Sequence, residues 1–204
     1  MAKRTVATIW NHSQSFIVAI ALALVFRQFV LQAFRIPSSS MEDTLLVGDF
    51  LFVNKFLYGA PIPFSDKRLP KVRAPHRGDI IVFKSPTDGR DFIKRCVGTA
   101  GDTLEVRNKE LWVNGVRQIE PLAVHKSPDT MLPGTSTRDF MAPYVVPPGH
   151  LFMMGDNRDN SHDSRFWGPL PINNVKGKAM FIYFSWDREH APFLRLRRFG
   201  RLIH

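Results

Sequence analysis

Cysteine is nearly absent from this chain: Cys96 is the single one among 204 residues. An intrachain disulfide and a cysteine-based zinc site are therefore excluded, and cysteine usage says nothing about the redox compartment. Cys96 itself reads as a small buried hydrophobe. Acidic residues are also scarce, with 18 Asp and Glu against 28 Lys and Arg and a net charge of +10. Such an excess calls for an anionic partner, and nucleic-acid phosphates and anionic lipid headgroups both qualify. The longest uninterrupted apolar run, Phe16 to Phe26, is eleven residues, short of the roughly 20 that a spanning helix needs. Internal repeats and low-complexity tracts are missing too. What is present, 44% hydrophobic and 23% charged residues, suits one globular domain of about 150 to 170 residues with a core of its own.

Extending the apolar run back to Ile9 and forward to Leu31 supplies a membrane-spanning length, at the cost of including Asn11, His12, Gln14 and Arg27. Arg27 can snorkel toward the headgroups, and Trp10 suits an interface. A cleavable signal peptide is the competing reading, but the only small-residue stop nearby, Leu31-Gln32-Ala33, matches an A-x-A site poorly. The expectation is an uncleaved transmembrane anchor over 9–31 behind a cytoplasmic tail, 1–8. Lys3 and Arg4 in that tail favour an N-inside orientation, although Arg27 and Arg35 on the other flank count against it. The rest of the chain would then lie on the extracytoplasmic face. With an anchor in the same chain, lipid displaces nucleic acid as the partner of the basic charge. The excess is most visible at the C-terminus, where Arg188, Arg195, Arg197, Arg198 and Arg201 face only Asp187 and Glu189, interleaved with apolar side chains.

Beyond Ile36 the pattern is mostly β. Asp49 to Lys55 and Gly78 to Phe83 are short apolar runs introduced by Gly-Asp, a turn signal. Leu104 to Arg107 and Glu110 to Val113 flank Asn108-Lys109, with Asn114-Gly115 as the next turn, which predicts tight hairpins. Lys178 to Trp186 suits a central strand. Tyr58 to Pro75 reads as a surface loop, and the proline-rich stretch 120–148 as an excursion outside the core. The fold expected is mainly β, an antiparallel sheet that is closed or strongly coiled, with one N-terminal helix.

Three segments can carry chemistry. In a strand from Asp91 to Val97, Phe92, Lys94 and Cys96 share one face and Ile93, Arg95 and Val97 the other. Adjacent cations thus point opposite ways, and a buried lysine can shed its proton where an arginine cannot. Lys94 is the better candidate for a buried amine, although alternation alone permits the reverse. Ser38, Ser39 and Ser40, between Pro37 and Met41, read either as a turn or cap or as a nucleophile with an oxyanion donor. A serine and a lysine base make the Ser-Lys variant of the catalytic triad. The third segment, Asp156 to Arg165, is ten polar residues in a row. It lacks the glycine and terminal glutamate of a calcium-binding EF-hand loop. A triad of Ser40, His162 and Asp163 and a hydrogen-bonded scaffold are its other readings.

In order along the chain, IPSSSMEDTLLVGD (36–49), RGDIIVFK (77–84), FIKRCVGTAGD (92–102) and GDNRDNSHDSRFWG (155–168) resemble the motifs of bacterial type I signal peptidases, membrane-bound Ser/Lys enzymes that remove signal peptides from exported preproteins. The resemblance implies an extracytoplasmic catalytic domain, 36–204, on the bacterial inner or plasma membrane. It implies Ser40 as nucleophile, Lys94 as general base, and Ser38 with the Ser40 amide as oxyanion hole. Ser161 would orient the lysine amine, and Asp163 and Arg165 would form a supporting ion pair, which displaces the triad reading. Ile36, Met41, Leu45, Phe92 and Ile93 would line shallow pockets for small side chains. No metal, cofactor or nucleic acid is implied, and the chain is expected to act as a monomer on membrane lipids. Two departures stand out: Ser39 where glycine is frequent, and Glu42-Asp43 where proline is common. A self-cleaving repressor-type protease shares the Ser/Lys chemistry but would need a DNA-binding module in place of the apolar N-terminus. A non-enzymatic basic protein binding lipid or nucleic acid would leave the four motifs as coincidence.

Overall fold

A two-residue period in burial runs through the body of the chain, and it builds strands where the sequence predicts them. The computed structural model describes residues 2–65, 67–187 and 193–204, with side chains from residue 14 onward. The side chains of Lys3, Arg4, Ile9, Trp10, Asn11 and His12, and the residues Arg188 and Glu189, lie outside that description. A helix, α1 (Ala2–Phe29), leads into β1 (Leu31–Arg35), β2 (Asp49–Asn54), β3 (Ile80–Lys84) and β4 (Asp91–Thr99). Next come β5 (Thr103–Arg107), β6 (Glu110–Val113), β7 (Val116–Arg117), β8 (Met141–Val145) and β9 (His150–Met154). A single helical turn, α2 (Ser164–Trp167), then precedes β10 (Leu170–Pro171) and β11 (Val175–Ser185).

Seven strands form one antiparallel sheet in the order β1-β2-β11-β3-β4-β9-β10, and four form a second in the order β7-β6-β5-β8. The large sheet is curled rather than closed, since β1 and β10 are its edges. Register shifts in β11 and between β4 and β9 mark β-bulges, which bend a strand and increase its twist. Strand β2 buries alternate residues, Asp49, Leu51 and Val53, whereas Ile80 to Phe83 of β3 are all buried, as befits a strand covered on both faces. The hairpin turns are as expected: Asn108 and Lys109 both take positive φ, at 50° and 70°, the geometry that matches strand twist in a two-residue turn.

Two expectations need correction. The stretch 120–148 is not wholly outside the core, because it ends in β8, which pairs with β5 and buries Met141 and Val146. Its prolines hid a strand that sits on a sheet edge, where a missing N–H costs nothing. The C-terminal arginines are not all a lipid-facing surface either. Arg198 is buried, reaching Asp49 Oδ2 at 2.5 Å and the Thr44 carbonyl at 3.0 Å. Arg195 reaches Asp187 at 2.6 Å and the Val47 carbonyl at 2.9 Å. Asp49 has no exposed surface, and a carboxylate buried in a strand needs a charged partner. The C-terminal segment supplies it by folding back along β11.

Candidate active site

Ser40 lies in the loop between β1 and β2, and the loop is anchored from below. Met41 and Leu45 have no exposed surface and join Ile36 in the core with Leu51, Val53 and Ile93. Backbone bonds from Glu42 N–H to Ser39 O (3.0 Å) and from Leu45 N–H to Met41 O (2.7 Å) wind the segment into tight turns. The three apolar residues expected to line pockets, Ile36, Met41 and Leu45, therefore back the cleft as part of the core instead of opening into it. Phe92 and Ile93 do line it.

Lys94 sits mid-strand in β4, opposite Ile81 of β3, with 4% of its surface exposed. Its Nζ is in hydrogen-bond contact with Ser40 Oγ and lies 5.7 Å from the centre of the Phe92 ring. Its neighbour Arg95 takes the other side of the strand and pairs with Asp156 at 2.8 Å. The lysine is thus the buried amine of the two. Burial pushes its pKa down to about 8, opposed by the charge of Asp163 and assisted by Arg165. Desolvation penalises the charged form of an amine, so a proton-free fraction is available near neutral pH.

An open cleft of about 500 Å³ exposes the pair, lined by Ser38, Ser39, Arg90, Asn160 and His162 among others. Ser38 is exposed at its rim. His162 stacks on Phe166, ring centres 5.5 Å apart, and among the described residues no hydrogen bond joins it to Ser40, so no Ser-His-Asp constellation forms. Ser161 is buried beside the pair, and among the described residues its Oγ makes no hydrogen bond to the lysine amine. Asp163 and Arg165 form a fully buried two-pronged ion pair, 2.9 Å on each arm. Asp163 also accepts from Gly155 N–H at 3.0 Å, and Arg165 donates to the carbonyls of Arg158 (2.7 Å) and Arg138 (2.9 Å). These contacts hold the Asp163 carboxyl below its ordinary range despite burial. The ten polar residues are thus a scaffold bonded within itself and to its surroundings.

Sequence reasoning missed how that scaffold reaches the serine loop. Asp156 accepts from Thr44 Oγ1 at 2.6 Å as well as from Arg95. Asn157 and Asn160 donate to Ser39, at its carbonyl (3.2 Å) and hydroxyl (2.9 Å) respectively. Glu42 accepts from Asn157 (3.3 Å) and pairs with Lys126 (2.8 Å). The departures at Ser39 and Glu42 are therefore both engaged by side chains. The only sequence signal for this was the length of the polar run, which demands partners without naming them.

Sequence comparison identifies the family. The profile of the family described as "Signal peptidase, peptidase S26" matches residues 9–186. The chain is 39% identical over 228 aligned residues to a signal peptidase I of Pseudomonas aeruginosa, covering 95% of this chain and 79% of that one. It is 36% identical over 186 residues to a signal peptidase I of Bacillus amyloliquefaciens, covering 90% of each. A crystal structure of a signal peptidase I from Enterococcus faecalis V583 aligns at 30% identity over 53% of this chain and 98% of its own, with a TM-score of 0.43.

Proposed function

Since the chain belongs to the signal peptidase S26 family and is a serine peptidase that removes signal peptides, we propose that Ser40 and Lys94 carry out its chemistry. The observation that carries this reading is the contact of a buried lysine amine with a serine hydroxyl inside an open cleft. Neutral Lys94 takes the Ser40 proton as Oγ attacks the scissile carbonyl. Ser38 Oγ and Ser40 N–H stabilise the oxyanion. The Lys94 ammonium then protonates the departing amine, and the neutral lysine next activates the water that clears the acyl-enzyme. Ser161 and the Asp163–Arg165 pair support the lysine from behind, as scaffold.

The substrate is a preprotein lying extended along β4. That strand bonds β3 from Asp91 to Arg95 but bonds β9 only from Arg95 onward. Among the described residues, 91–94 therefore keep a free edge, and an extended peptide can add to it as a strand. The shallow apolar surface of Phe92 and Ile93, backed by Ile36, Met41 and Leu45, suits small side chains such as the alanines of an A-x-A site. Incubating the detergent-solubilised protein with such a preprotein tests the reading: cleavage after the second alanine is expected. A well-folded protein that cleaves no preprotein overturns it.

Proton bookkeeping gives a second check. The free enzyme acts with Lys94 neutral, so kcat/KM should climb with pH through an apparent pKa of about 8 and level off above it. A profile still climbing above pH 10 would remove the buried-lysine base.

The membrane part of the proposal rests on exposed apolar surface. Among the described residues no helix is long and apolar enough to cross a membrane. Yet Phe16, Ile17, Leu22, Leu24, Val25 and Phe26 of α1 are all more than half exposed, an apolar band left largely uncovered by the described residues. We read residues 9–29 as an anchor in the bilayer, N-terminus inside, with the catalytic domain outside; the expected span to residue 31 is shortened because Leu31 already pairs with Asn54 in the sheet. Near the C-terminus, Trp186, Phe193, Leu196 and Leu202 are exposed beside Arg197 and Arg201. Replacing those two arginines with glutamine should weaken binding to anionic vesicles by about 1 kcal/mol per charge, less at high salt. Unchanged binding ends the idea.

A further inference from the structure

Asn157 has no part in the steps above, yet it holds the backbone around Ser40. It is buried, with 1% of its surface exposed. Its Nδ2 donates to Ser39 O at 3.2 Å, and its own backbone N–H donates to Ser40 O at 3.2 Å. Ser39 O also accepts from Glu42 N–H at 3.0 Å. One residue thus grips the carbonyls of both peptide units that flank the Ser40 Cα.

Planarity turns that grip into control of a third group. Within a trans peptide unit the C=O and N–H are locked in one plane and point in opposite directions. Ser39 C=O and Ser40 N–H share such a plane, so drawing the oxygen toward Asn157 turns the N–H the other way. Among the described residues the Ser40 N–H has no acceptor, although Ser40 is only 8% exposed. Buried backbone N–H groups are nearly always paired, so one left free beside a nucleophile is held for a group that arrives. Hydrogen bonds accepted at the carbonyl end also polarise the N–H at the other end, because chained hydrogen bonds strengthen one another.

We infer that Asn157 is a positioning residue for oxyanion stabilisation, setting the Ser39–Ser40 peptide plane so that the Ser40 N–H faces the developing charge. The inference rests on the reading of Ser40 as nucleophile. Asn157 acts through the peptide plane and never touches substrate. Glu42 steadies it, accepting from Asn157 Nδ2 at 3.3 Å while Lys126 pairs with the other carboxylate oxygen at 2.8 Å.

The test compares the full-length, detergent-solubilised wild type with Asn157→Ala and the isosteric Asn157→Asp on a peptide carrying an A-x-A site. A peptide aldehyde of the same sequence serves as the second probe. Ser40 Oγ adds to the aldehyde carbon as its proton passes to Lys94 Nζ and the C=O π bond breaks, so that the hemiacetal oxygen occupies the oxyanion position. Deleting an oxyanion donor outright costs about 100- to 1,000-fold in kcat, so misaligning one is expected to cost about 10- to 100-fold. KM should stay within about twofold, because ground-state contacts are untouched. The aldehyde Ki should rise by the factor by which kcat/KM falls. An unchanged kcat, or a fall in kcat that leaves the aldehyde Ki where it was, overturns the assignment; the second result would mark a merely structural role. Should both variants fail to fold, Glu42→Ala, at a half-buried site, is expected to show the same paired change in kcat and Ki at smaller size, and no change in either overturns the inference. A wild type that cleaves nothing sinks the proposed function, and this inference with it.

Discussion

Ser40→Ala is expected to lower preprotein cleavage by on the order of a millionfold, and Lys94→Ala by a similar factor. On the proposed mechanism the two side chains make one device. Without the hydroxyl there is no nucleophile, and without the amine the hydroxyl keeps its proton and the leaving group receives none. The double variant should therefore be no worse than either single one, since groups that act as a unit lose their effect together. Lys94→Arg should be as inactive as Lys94→Ala, because a guanidinium stays charged and cannot accept the serine proton. Each variant should still bind the substrate peptide, for neither change removes the free edge of β4. Residual cleavage by Ser40→Ala above about one part in a thousand, in a preparation free of contaminating peptidase, would mean that the nucleophile lies elsewhere.

Gly155→Ala carries the second-largest expected effect, and it acts without touching a reacting atom. A Cβ built on Gly155 meets the Ser161 side chain and the Ser40 carbonyl oxygen at separations that real Cβ atoms do not show. The oxygen belongs to backbone and cannot swing aside as a flexible side chain would. Ser40 must shift, and with it the hydroxyl that meets Lys94. A displacement of about 1 Å at a reacting group can cost on the order of 100-fold, so kcat should fall by at least that factor. Gly155 donates its N–H to Asp163, a bond that alanine retains, so the ion pair should persist, while the overpacked Cβ should lower stability by about 1–3 kcal/mol. A Gly155→Ala enzyme that cleaves within about threefold of wild type would show that the loop gives way freely; misplacement costs of this size would then not apply.

The strands of the body were readable because period-two alternation and Asn-Gly-type turns are local signals, complete within a few residues. β6 ran from Glu110 to Val113 as expected. β8 was not readable: Pro143 and flanking loop residues masked a strand whose place is fixed by β5, more than thirty residues earlier. The C-terminal arginines failed for a related reason. Their charge was legible, but Arg198 owes its position to Asp49, 149 residues away, and nothing local distinguishes a buried ion pair from a solvated basic tail. Similarly, Ile36, Met41 and Leu45 were recognisable as apolar residues near the serine, yet whether such residues line a cleft or seal its floor depends on what packs on their far side.

By itself the sequence determined which residues can react here: a serine cluster, a lysine whose same-face strand neighbours, Phe92 and Cys96, are apolar, and a polar run that must bond to something. It also determined the β class, because alternation is written into the chain order. Only the tertiary structure decided that Lys94 and not Arg95 is the buried cation, that its amine meets Ser40 across 54 positions, and that Asn157 holds the carbonyls on both sides of the nucleophile. The reason is physical. Residue type and period are properties of neighbours in the chain, whereas desolvation, peptide orientation and charge pairing belong to neighbours in space, and those are assigned only when the sheet curls and the loops close over it.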